Sequence, residues 1–148
     1  MLKIVTSLGQ LNTEQFLAVY RESNRAFSEE NRMLSYLGED FFSIHGAVCA
    51  LWVVDGRYVS ALRIEPYQDG YLISGLETAS DARRKGYAKN LVQAVIGQYR
   101  LPIYSHIAKN NKPSLNLHFA CGFEICSDSA TLLDGTVTQN YCTMVYHK

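Results

Sequence analysis

The segment from Thr78 to Ala88 reads Thr-Ala-Ser-Asp-Ala-Arg-Arg-Lys-Gly-Tyr-Ala. It should end a strand, turn, and open a helix at or near Gly86. Helix N-termini expose unpaired N–H groups at the positive end of the dipole, so they hold phosphate. Gly86 lets an anion approach the backbone, Ala88 keeps the next facing position small, and Arg83, Arg84 and Lys85 add charge. The same bases would also suit a solvated helix start. No Gly-Lys-Ser/Thr follows, so this is not a triphosphate loop, and the spaced glycines of a dinucleotide fold are missing. Glu77 stands just before the turn, a strand-end carboxylate that could be solvated, pair with Arg83 or act as a base. Glu65 is a second candidate base. His106 alternates with Ile103, Ser105 and Ile107 and so faces away from them, either into a cleft or into a structural contact.

The charge balance points to the same region. The 148 residues carry 14 Lys plus Arg and 14 Asp plus Glu, a formal net charge of zero. Between Ala82 and Phe123 there is no acid, and Arg83, Arg84, Lys85, Lys89, Arg100, Lys109 and Lys112 give that window +7. The remainder carries −7. A basic segment in a neutral chain suits an anionic ligand, and the acidic remainder suits a cationic one. Neutrality argues against a generally basic nucleic-acid binder, and a hydrophobic fraction of 47% against disorder. Cys49, Cys121, Cys126 and Cys142 form no C-x-x-C pair, so reduced thiols are expected and no metal site. No basic-then-apolar leader and no span of about 20 apolar residues is visible, so a cytoplasmic protein without membrane contact is expected.

Stepping along the chain, Asn12 or Thr13 caps a first helix whose stripe is Phe16, Val19 and Tyr20, running to about Asn24. Ser28 with Glu29 and Glu30 starts a second helix. Ala47–Val54, Arg57–Ile64 and Tyr71–Thr78 read as an antiparallel meander, with Asp55-Gly56 as its first turn. Ala88, Leu91, Val92, Val95 and Ile96 then share one helical face. A strand from Pro102 to Ala108, a short helix from Pro113 to Cys121, and two strands joined at Asp134-Gly135 complete a single domain over 1–148. The class is mixed α/β, or α+β, with helices on the faces of one sheet.

Arg83-x-x-Gly86-x-Ala88 resembles the Arg/Gln-x-x-Gly-x-Gly/Ala signature of the GNAT superfamily of acyl-CoA-dependent N-acetyltransferases. Asn111-x-x-Ser114-x-x-Leu117-His118-x-x-x-Gly122-Phe123 is similar to that family's later motif, and the spacing between the two agrees. The resemblance covers about Gly75 to Phe123. It implies a mostly antiparallel sheet of about six or seven strands, about four helices, and a parallel pair splayed for acyl-CoA. The backbone from Leu76 to Thr78 would pair with the pantetheine arm. The loop formed by Arg83, Arg84, Lys85, Gly86, Tyr87, Ala88 and Lys89 would hold the pyrophosphate, and Asn111 and Ser114 would meet the arm. Acetyl-CoA is the implied cosubstrate. The implied acceptor is a small-molecule or peptide amine, and the chain is expected as a monomer or homodimer.

The amine would attack directly, with Glu77 as base. Many members place a Tyr where this chain has His118, and that phenol protonates the leaving thiolate. His118 could do so only as an imidazolium, which requires a raised pKa; otherwise Tyr87, Tyr99, Tyr104 or water does. A non-catalytic acyl-CoA sensor is the alternative reading of the same fold.

Overall fold

The computed structural model describes residues 1–21 and 27–147, with the side chains of 27–29 left aside. The expected end of the first helix near Asn24 lies outside the described residues, and the second helix begins at Phe27, one residue before the expected Ser28. The chain forms β1 (Leu2–Val5), α1 (Thr13–Tyr20), α2 (Phe27–Ser35), β2 (Val48–Val54), β3 (Arg57–Tyr67), β4 (Gly70–Thr78), α3 (Tyr87–Gln98), β5 (Ile103–Ala108), α4 (Lys112–Ala120), β6 (Glu124–Ser127), β7 (Ala130–Thr131), β8 (Val137–Thr138) and β9 (Tyr141–Tyr146). Seven strands make one sheet in the order β1-β2-β3-β4-β5-β9-β6, and β7 and β8 pair separately. All pairs in the large sheet are antiparallel except β4 with β5.

Local sequence explains most of these elements. The Asn12 side chain accepts from the Gln15 N–H at 3.1 Å and so caps α1. Asp55 and Gly56 both take left-handed backbone, which gives the tight hairpin between β2 and β3. On one face of the sheet, α3 packs Leu91, Val92, Val95 and Ile96 onto Leu62, Ile64, Ile73, Ile103 and Met144. On the other, Phe16, Val19 and Tyr20 of α1 cover Cys49, Leu51 and Ala61. Each such side chain buried from water contributes about 1.5–3 kcal/mol before entropy is charged against it.

Three details depart from the sequence reading. The stretch after α2, which has no evident pattern, coils as a wide turn over Tyr36–Asp40 and a tight one over Phe41–Ser43, seating Leu37 and Phe41 in the core. The two C-terminal strands are broken: β6 pairs with β9, while β7 and β8 form their own hairpin. Cys126 is exposed, whereas Cys49, Cys121 and Cys142 are buried thiols.

Candidate active site

The sheet opens between its two parallel strands. Tyr71, Leu72 and Ile73 pair with Ile103, Tyr104 and Ser105, and there the pairing stops. Beyond that point β4 is deformed. Its register against β3 slips between Ala61 and Arg63, and Gly75 sits in the slip at φ +65°. A β-bulge of this kind bends the strand and re-aims its neighbours. Tyr20 of α1 holds the bulge by donating its hydroxyl to the Gly75 carbonyl at 2.6 Å. Burial pushes that phenol up, so it stays a donor.

The resulting cleft has a volume of about 310 Å³. Leu76 and Glu77 line it from β4, His106 from β5, and Asn111, Ser114 and His118 from α4 and its cap. Thus the fold brings the end of β4 together with the second motif, Leu76 and His118 being 42 positions apart. A second pocket of about 190 Å³ lies at the start of α3, lined by Thr78, Arg83, Arg84, Gly86, Tyr87, Ala88 and Lys89. Arg84 and Gly86 are both left-handed, at φ +64° and +78°, and no side chain caps the helix. The first intrahelical bond runs from Asn90 N–H to the Gly86 carbonyl, so the N–H groups ahead of it have no helical acceptor. Such a loop fits a pyrophosphate.

Lys85 is the one expected loop residue outside this pocket. It is exposed and adds to the field at Asp81, whose carboxyl is held below the usual range mainly by its hydrogen bond with Arg57 at 2.5 Å. Arg83 donates from Nε to the Thr78 carbonyl at 3.3 Å, which ties the loop to the end of β4. Asn111 spends its side-chain oxygen on the Ser114 N–H at 3.2 Å, so it caps α4 while lining the cleft.

The two histidines have fixed tautomers. The His118 Nδ1 lies 2.7 Å from the Ser114 carbonyl, which can only accept, so Nδ1 carries the proton. His106 Nδ1 lies 3.0 Å from the Thr143 hydroxyl, and that hydroxyl donates to the Ser129 carbonyl at 2.9 Å. The Thr143 oxygen must therefore accept from His106 Nδ1–H. In both rings the neutral form leaves a lone pair on Nε2, and both Nε2 atoms are buried without a hydrogen-bond partner. Burial pushes both imidazoles down, opposed by the Ser114 carbonyl for His118 and by the Thr131 carbonyl for His106.

Both facts bear on His118 as a proton donor. Its surroundings disfavour the imidazolium, and the neutral ring has no proton on the nitrogen that is free. The tyrosines proposed in its place are also committed elsewhere. Tyr104 donates to Asp69 at 2.6 Å, Tyr99 stacks on Tyr71 at 4.5 Å, and Tyr87 belongs to the α3 pocket. The phenol that lines the cleft is Tyr141 of β9, read from sequence as plain strand alternation. Arg63 was also missed. It shares a face of β3 with Ala61 and Glu65, opposite the core residues Leu62 and Ile64, and that alternation was its only local signal.

Comparison with known proteins agrees with this geometry. No curated protein sequence matches the chain. Among solved structures, the chain is similar to a ribosomal-protein-alanine N-acetyltransferase from Brucella melitensis, at 19% identity and TM-score 0.72, covering 100% of this chain and 99% of that one. It is also similar to an aminoglycoside 6'-acetyltransferase type Ii, at 12% identity and TM-score 0.71, over 99% and 96% of the two chains. An aminoglycoside 6'-N-acetyltransferase complexed with coenzyme A matches at 10% identity and TM-score 0.69, over 97% and 96%. At these identities the likeness shows the shared fold. The sequence profile of the Acetyltransferase (GNAT) family matches residues 13–123, and acetyl-CoA is the cosubstrate of that family: the chain belongs to the GNAT family of acetyltransferases.

Proposed function

We propose that the chain acetylates a primary amine of a small molecule or peptide by direct attack in a ternary complex. The observation that carries this reading is the buried, unpartnered Nε2 of His106 in the wall of the cleft. Acetyl-CoA supplies an activated acyl group, and the chain's residues do the rest. The unpaired edge of β4 from Leu76 to Thr78 supports the pantetheine arm as an added strand would. The Arg83–Lys89 loop neutralises the phosphates.

An attacking amine must lose a proton, and two groups in the cleft can receive it: Glu77 and His106. The Thr143–Ser129 chain puts the His106 proton on Nδ1 and leaves the lone pair on Nε2, which favours His106 as base, with Glu77 drawing the ammonium in. Tyr141 is best suited to protonate the departing thiolate. His118 serves the cofactor side, where its Nε2 accepts a hydrogen bond from the arm.

The test is thiol release from acetyl-CoA with a panel of amino acids, polyamines, aminoglycosides and peptides. Release with an amine and none with the matching alcohol supports the reading. Tight acetyl-CoA binding without release across the panel would make the chain an acyl-CoA sensor instead.

A further inference from the structure

The acceptor face of the sheet holds a cation that the transfer chemistry does not use. Arg63 reaches from β3 across the bulge of β4. A Cβ built on Gly75 would lie 2.6 Å from its Nη1 and 3.0 Å from its Cζ, so the missing side chain is what seats the guanidinium there. Its Cζ lies 5.9 Å from the Tyr36 ring centroid. Its Nε is buried without a hydrogen-bond partner, and it forms no ion pair within 4 Å of a described carboxylate. Arg63 is half-buried, with only its Nε sealed, so its terminal nitrogens can meet a ligand anion.

Three side chains flank Arg63: Tyr36, Glu65 and Tyr20. Tyr36 offers a phenol. Glu65 is 3% exposed and two positions further along the same strand face. Burial pushes the Glu65 carboxyl up, and Arg63 opposes this. Tyr20 is already spent on the Gly75 carbonyl. Ser74, Gly75 and Glu77, the residues beside the guanidinium on β4, also line the cleft. The anion-reading cluster and the reacting centre therefore share one short stretch of strand.

From this arrangement we infer that the acceptor is a zwitterion, an amine bearing a carboxylate one or two carbons away, such as a free amino acid. Its carboxylate lies on Arg63, and its ammonium faces Glu77 and His106 before deprotonation. The closeness of Arg63 to the bulge sets the short spacing between the two charges. This inference rests on the amine-acetylation reading and replaces the cationic acceptor that the −7 remainder suggested. The acid count of a half-molecule is a long-range, screened field, whereas Arg63 acts at contact.

The experiment measures thiol release by the full chain with acetyl-CoA and matched pairs: free amino acids, their methyl esters, and the amines lacking the carboxylate. A charged hydrogen bond of this kind discriminates by at least about tenfold in kcat/KM. Free acids are expected to exceed their esters by that factor, and Arg63→Met to collapse the ratio. Arg63→Lys, which keeps the charge and loses the bidentate fork, should leave an intermediate ratio. Retained acetyl-CoA binding serves as the folding control for both variants. Equal rates with acids, esters and plain amines would overturn the zwitterion inference and leave amine acetylation standing. No release with any amine in the panel would overturn both.

Discussion

His106 takes its function from atoms far away in sequence. The Ser129 carbonyl fixes the Thr143 hydroxyl, which fixes the imidazole tautomer. Its pKa is pushed below the usual 6.5 by burial, so the base is already neutral at physiological pH. For a slowly ionising acceptor, the kcat/KM of wild type should rise with pH through a limb below 6.5 and show no further histidine limb above it. His106→Gln should lose at least about 100-fold in kcat/KM while acetyl-CoA binding holds. A variant that keeps its rate would return the base role to Glu77. Tyr141 and His118 separate by a different signature. Tyr141→Phe should lower kcat about tenfold or more, and His118→Phe should mainly raise the KM for acetyl-CoA. Initial-rate kinetics with varied acetyl-CoA decide between them. The sequence offered His106 as facing either a cleft or a structural contact, and Tyr141 only as strand alternation. The partners that define them arrive only when β5 and β9 pair.

At the scale of elements, the reading from sequence was strongest where a short signal dictates geometry. Asp55-Gly56 makes a hairpin, Asn12 caps α1, and the Leu91–Ile96 stripe finds the sheet. It failed where two strands must be compared. The bulge at Gly75 is a mismatch between β3 and β4, and a single sequence does not show a mismatch. Gly75→Ala tests the bulge. The left-handed backbone and the crowding against Arg63 should together cost about 1–3 kcal/mol in urea denaturation. The variant should also weaken acceptor binding, because the guanidinium is displaced from its seat. Unchanged stability would mean that the strand relaxes without strain.

Across the whole molecule, the charge partition and the splay make one expectation. On the proposed reading the cofactor rests on exposed bases and on a backbone edge, so its binding should weaken steeply with added salt. It should also stabilise the fold. At 100 times its Kd, acetyl-CoA should add about 2.7 kcal/mol to unfolding stability. Thermal shifts measured across a salt series check both. A shift independent of salt would remove the basic loop from the account.

The short ladder between β4 and β5 has one more consequence. Three paired positions join β1 to β4 on one side to β5, β9 and β6 on the other, and the shared apolar layer under α3 and the Tyr104–Asp69 and Tyr67–Thr131 hydrogen bonds reinforce the seam. Leu101, in the connection from α3 to β5, is exposed. A chain divided there would yield two pieces whose natural cut follows the seam. Rejoined across it, they would make a split reporter in which acyl-CoA acts as the missing strand and signal rises with its concentration.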